Sequence, residues 1–192
     1  MSPNQPRGSG PLGHNPNRTE PEGRGSAMTE PSTTQVYRVY IRTSPEAIWD
    51  AITKPEWTER YGYQGVSDFD LRVGGKANMK PGAGMRAFAH VPDTVIDGEF
   101  LEVDPPRRLK QTWRMLMDPG LAEEGFTTLT YEIEPVGDGV TKLTVVHELE
   151  HAPRNAHVLA GGIESQGGGG GWAWVLSDLK SVLETGSRMA AG

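Results

Sequence analysis

The chain has 192 residues, a formal net charge of −6, a sequence pI near 5.4 and no cysteine. The missing thiols exclude disulfides, thiolate metal sites and thiol catalysis together, and the acidic balance argues against duplex nucleic acid, which needs a basic footprint. No run reaches the roughly 18 apolar residues of a membrane span, and MSPNQPRGSG at the N-terminus has no apolar signal core, so a cytoplasmic protein is expected.

Residues 1–27 hold five prolines, five glycines, no aromatic residue and one branched aliphatic, Leu12. Such a segment buries too little apolar surface to offset its ordering entropy. Residues 1–30 therefore read as a disordered extension, with Met28 an equally good start, and residues 35–187 as one domain. Residues 188–192 read as a disordered C-terminus.

Tyr37, Val39 and Ile41 alternate with Arg38, Tyr40 and Arg42, the period of a half-buried strand. Ser44 then offers a helix N-cap, Pro45 suits the first turn and Glu46 complements the dipole. Ala47, Ile48, Ala51 and Ile52 fall at helical spacing to about Thr53. Pro55 starts a second short helix carrying Trp57 and Tyr61.

From Phe69 onward strands dominate. DFDLRVGGKANM reads as a strand, a Gly-Gly turn and a strand, and residues 81–94 as a loop. VIDGEFLEVDPPRRLKQTWRMLMD reads as two strands around an Asp-Pro-Pro turn. FTTLTYEIEPV and VTKLTVVHEL flank GDG, a hairpin signal. On their shared faces, Trp113 lies with Leu109, Gln111, Met115 and Met117, and Tyr131 with Leu129 and Ile133.

HELEHAPRNAH (147–157) carries the letters H-E-x-x-H, which on a helix bind zinc. Here the run continues a strand, where His147 and His151 would stand about 13 Å apart at ~3.3 Å per residue. Ligands each ~2.1 Å from one zinc cannot do so. No metal is expected, and His151 and His157 read as exposed loop residues. GGGGGW (167–172) lacks the Lys-Ser/Thr of a phosphate loop, and residues 161–171 read instead as a gate beside the last helix. In that helix Trp172, Leu176, Leu179 and Leu183 form one stripe, widened by Val175 and Val182 and ended by Gly186. Strands with helices on one face make an α+β domain.

GEFLEVDPPRRLKQTWR (98–114), KLTVVHE (142–148), GGWAWVLSDLKSVLETG (170–186) and YIRTSPEAIWDAIT (40–53) resemble, in order, blocks of bacterial relatives of the C-terminal domain of the Hsp90 ATPase activator. Those proteins belong with START domains, aromatase/cyclases and Bet v 1-like proteins. The resemblance, over roughly residues 35–187, implies a helix-grip fold: a curved antiparallel sheet around the C-terminal helix, enclosing an apolar cavity. It leaves function open. Direct contact with Hsp90 is not expected, because the activator's separate N-terminal domain has no counterpart here.

Leu143, Val145, His147 and Leu149 share the more apolar strand face, so His147 is the one candidate general base. The expected ligand-binding set is Trp57, Tyr61, Gln111, Trp113, Met115, Tyr131, His147, Trp172 and Leu176. The leading reading is carriage or sensing of a hydrophobic, aromatic small molecule, without cofactor. A cyclase- or hydrolase-type enzyme using His147 and a chaperone-linked or homodimeric interaction module are the alternatives.

Overall fold

The computed structural model describes residues 34–87, 90–167 and 169–189. The extension read over residues 1–30 lies outside them, as do residues 190–192.

The described chain runs β1 (Thr34–Ile41), α1 (Pro45–Thr53), α2 (Pro55–Thr58), β2 (Val66–Phe69), β3 (Ala77–Lys80), β4 (Ile96–Asp97), β5 (Phe100–Asp104) and β6 (Arg108–Met115). It continues through α3 (Pro119–Ala122), β7 (Thr127–Gly137), β8 (Val140–Glu148), α4 (Pro153–Leu159) and α5 (Gly171–Thr185). All strand pairings are antiparallel, in the order β1-β8-β7-β6-β4-β3-β2, with β5 also on β6. The helix-grip arrangement follows from two periodicities. Alternate side chains of β6, β7 and β8 (Leu109, Trp113, Leu129, Ile133, Leu143, Val145) enter one core. Trp172, Leu176, Leu179 and Val182 of α5 supply its other wall. The opposite sheet face carries ion pairs such as Arg108–Glu132 at 2.6 Å and Lys142–Glu134 at 3.1 Å. Being partly exposed, such pairs contribute little beside apolar burial.

Local signals act as their chemistry dictates. Ser44 accepts the Ala47 N–H at 3.2 Å, and Gly186 ends α5 at φ 76°. Asp138 and Gly139 both take positive φ, 52° and 71°, as the tight turn between β7 and β8 requires. The six strands read between Phe69 and Leu149 become seven because residues 96–104 break in two. At Gly98 the backbone lies so close to the Thr112 carbonyl that a Cβ would collide with it.

Other expectations need correction. Tyr61 is not on α2, which ends at Thr58, but in the turn beyond it. Met117 lies past the end of β6 and is 45% exposed. His157 is not in a loop but on α4, which Pro153 opens. No side chain of α4 itself caps it. Glu124, thirty residues earlier, accepts the N–H groups of Arg154 and Asn155, both at 2.9 Å.

Arg188 and Met189, expected in a disordered terminus, are tied to the buried Asp178 of α5. Asp178 accepts the Gly62 N–H at 2.8 Å, the Arg188 Nε–H at 3.1 Å and the Met189 N–H at 2.6 Å. Arg188 also donates to the Gly62 carbonyl at 3.0 Å. One carboxylate thus fastens the turn after α2 and the chain end to the same helix. Asp178→Ala would strand a guanidinium and two amides, and should lower stability by about 3 kcal/mol in urea unfolding. Arg188→Ala should cost less, since that side chain is a quarter exposed and two donors to Asp178 remain. A loss below about 0.5 kcal/mol for Asp178→Ala would contradict this account.

Candidate ligand-binding face

The concave side of the sheet gathers most of the residues singled out in the sequence. Gln111, Trp113 and Met115 enter from β6, Tyr131 from β7 and His147 from β8. Trp172 and Leu176 of α5 stand on the other side of the same core, with Tyr61 and Trp57 completing it from the α2 region. Trp57 is the outermost, its ring covered by the Arg60 guanidinium at 4.4 Å. Tyr61 is buried, and its hydroxyl donates to the Ala51 carbonyl at 3.1 Å.

His147 is the centre of the buried polar structure, with no exposed surface. The Trp172 indole Nε1–H donates to His147 Nδ1 at 3.1 Å. Nδ1 must therefore hold a free lone pair, so the neutral ring carries its proton on Nε2. Nε2 lies 2.8 Å from the Thr127 hydroxyl oxygen, and that hydroxyl donates to the Trp113 carbonyl at 2.9 Å. The directions agree along the whole chain: indole to imidazole to hydroxyl to backbone. Trp113 packs edge-on against the imidazole at 4.9 Å between centroids, and Tyr131 meets Trp172 edge-on at 6.1 Å.

Burial pushes the His147 pKa down to about 3. Protonation at Nδ1 would also set two N–H groups against each other. The ring's one basic lone pair is committed to Trp172, which leaves His147 poorly suited to general-base work, where a pKa near the working pH is favoured. The H-E-x-x-H letters dissolve likewise. His147 points inward and Glu148 outward on β8, His151 sits exposed in the following turn, and His157 is exposed on α4.

Thr127 and Asp178 were missed in the sequence. Asp178 left a signal: it stands three residues after Val175 and four before Val182, inside the apolar stripe. Thr127 left none, because its role depends on a partner twenty residues away on the next strand. The glycine-rich stretch read as a gate ends in a tight junction. A Cβ on Gly171 would collide with the Leu159 carbonyl, and the Gly171 N–H donates to the Tyr63 hydroxyl at 3.0 Å. Two surface hollows, one beside Asp97, Leu101 and Phe126 and one beside Pro45 and Pro135, include none of the concave set.

The sequence pattern of the family described as activator of Hsp90 ATPase homolog 1-like protein matches residues 42–184. The chain belongs to that family. Solved structures sharing its fold include protein MLL2253 of Mesorhizobium loti, 25% identical over 78% of this chain and 96% of that one, TM-score 0.55. The Aha1 dimer of Colwellia psychrerythraea, solved in solution, is 20% identical over 80% of this chain and 97% of that one, TM-score 0.53. DynU16, from the dynemicin biosynthetic locus, is 21% identical over 82% of this chain and 49% of that one, TM-score 0.57. These likenesses place the fold of this family member and not its ligand. No curated protein matches the chain. Among the described residues no helix is long and apolar enough to cross a membrane.

The buried neutral imidazole has a pH signature. The unfolded chain takes up a proton at His147 near pH 6.5, whereas the folded chain resists until about pH 3. Stability attributable to His147 is therefore intact above pH 6.5 and falls as pH drops through the window between those values, by up to about 1.4 kcal/mol per pH unit. Urea titrations from pH 7.5 to 4 should show this slope in the wild type and a shallower one in His147→Gln. Equal slopes would contradict it.

Proposed function

We propose that this domain carries or senses a small, flat, apolar molecule on the concave face of its sheet, between β6–β7, the α2 region and α5. The reading rests on Tyr131. This residue faces inward from a central strand and is enclosed enough that burial pushes its hydroxyl pKa up, yet its side chain is only half-buried. Its hydroxyl makes no hydrogen bond among the described residues. In a core packed to ordinary protein density the ring would be sealed. Met115, Trp57 and Val175, packed against the same core, also keep partial exposure. Aromatic and methionine surfaces suit flat or adaptable ligands. The enzymatic alternative has less support, because its base would have to be His147.

The probe for this reading is the uncharged fluorophore N-phenyl-1-naphthylamine. It should bind saturably, one per chain, and raise the melting temperature. Tyr131→Trp, which adds volume at the gap, should weaken the probe at least about tenfold while leaving the melting temperature unchanged or higher. Non-saturable fluorescence with no thermal shift would contradict the proposal.

Self-association is the second reading. The Colwellia relative is a dimer; here β1 is an edge strand whose Val36 and Tyr40 are 43% and 54% exposed. Sedimentation equilibrium should give about twice the chain mass, returned to one chain mass by Tyr40→Glu. A monomer at about 100 μM, a concentration at which a Kd near 1 μM would leave mostly dimer, would oppose it.

A further inference from the structure

We infer that Gln111 selects, among molecules entering the concave face, those that present a hydrogen-bond donor. The inference rests on the reading that this face takes a ligand, and adds what the ligand must carry.

Gln111 stands in the middle of β6 with 3% of its surface exposed. Its carbonyl oxygen is buried without a partner, and its side chain makes no hydrogen bond among the described residues. The neighbours explain why. Across the strands it pairs with Leu129 on β7 and Phe100 on β5, and along its own face it lies between Leu109 and Trp113. None of these side chains donates to it: Leu109, Leu129 and Phe100 carry no donor, and the Trp113 indole makes no hydrogen bond to the Gln111 carbonyl. A buried carbonyl stripped of water and given no donor is destabilising, and such groups are rare in native folds.

The comparison with the other polar side chains of this region is sharper than the orphan alone. His147 has both ring nitrogens engaged, Thr127 bonds the Trp113 carbonyl, Tyr61 bonds Ala51, and Gln35 donates to the Ala156 carbonyl at 2.7 Å. Asn155, the other residue with a partnerless buried carbonyl, is nevertheless anchored through its amide nitrogen to Leu121 and Glu124. Gln111 has no such anchor. The half-buried Tyr131 lies diagonal to it on the adjacent strand, since Leu109 pairs Tyr131 and Gln111 pairs Leu129. An apolar surface with one buried, unpaired acceptor is complementary to a flat ring bearing an O–H or N–H. Discrimination of this kind is strong, because a ligand lacking the donor leaves the buried acceptor unpaired.

Three naphthalenes of similar shape test the point by calorimetry: 2-naphthol, 2-methylnaphthalene and 2-methoxynaphthalene, of which the first alone donates. Gln111→Leu, with the unbranched Gln111→Met as a second variant, removes the acceptor. The affinity ratio of 2-naphthol to 2-methylnaphthalene should fall about tenfold from wild type to either variant. 2-Methoxynaphthalene should follow the methyl compound, and the variants should melt no lower than the wild type. An unchanged ratio with both probes bound overturns the role of Gln111 and leaves the ligand-binding reading standing. A melting temperature clearly lowered in both variants overturns it too, because the amide would then be satisfied within the folded protein. If none of the three probes binds the wild type, the reading of the face itself fails, and this inference with it.

Discussion

Three hydrogen bonds in series, from the Trp172 indole through His147 and Thr127 to the Trp113 carbonyl, set the interior of this domain. They join α5 to β8, β7 and β6, so the helix is seated on the sheet in one rotation about its axis. Apolar contacts alone would tolerate a slip of the helix stripe; an indole N–H that must reach one lone pair does not. Each bond is worth only about 1 kcal/mol net, but a buried group left unpaired costs more than its bond contributes, so the chain is close to all or none. The same arrangement gives His147 a structural role.

The middle and the start of α5 are fixed by different chemistry. Asp178 gathers Gly62, Arg188 and Met189 around one buried carboxylate, and Tyr63 holds the first turn of the helix. The polar inventory of the concave face divides in two. His147, Thr127 and Tyr61 are satisfied within the protein, while the buried carbonyl of Gln111 has no partner. The satisfied groups explain how the fold closes, and the Gln111 carbonyl is the group on which the proposed donor selectivity rests.

Much of this was legible in the residues, and the parts that were not share a cause. Alternation in Tyr37–Ile41 and Leu143–Leu149, Ser44 before Pro45, the Asp138–Gly139 turn and the stripe from Trp172 each report a local rule, and each element stands where its rule puts it. His147 could be placed inward from alternation alone. Its partners could not, since Thr127 and Trp172 are set by strand register and helix rotation. The same holds for α4, capped by Glu124 across the fold, and for Arg188, whose partner is fixed only once the chain end turns back along α5. Composition made residue 188 look like loose terminus; one buried carboxylate made it structure.

The most direct test of this account is the protonation state of His147, read from long-range 15N–1H correlations of its ring between pH 7 and pH 4. The account predicts a neutral ring with the proton on Nε2 and a bare Nδ1 throughout, because burial and the Trp172 N–H both oppose a second proton. An imidazolium forming near pH 6, or a proton resident on Nδ1, would contradict it.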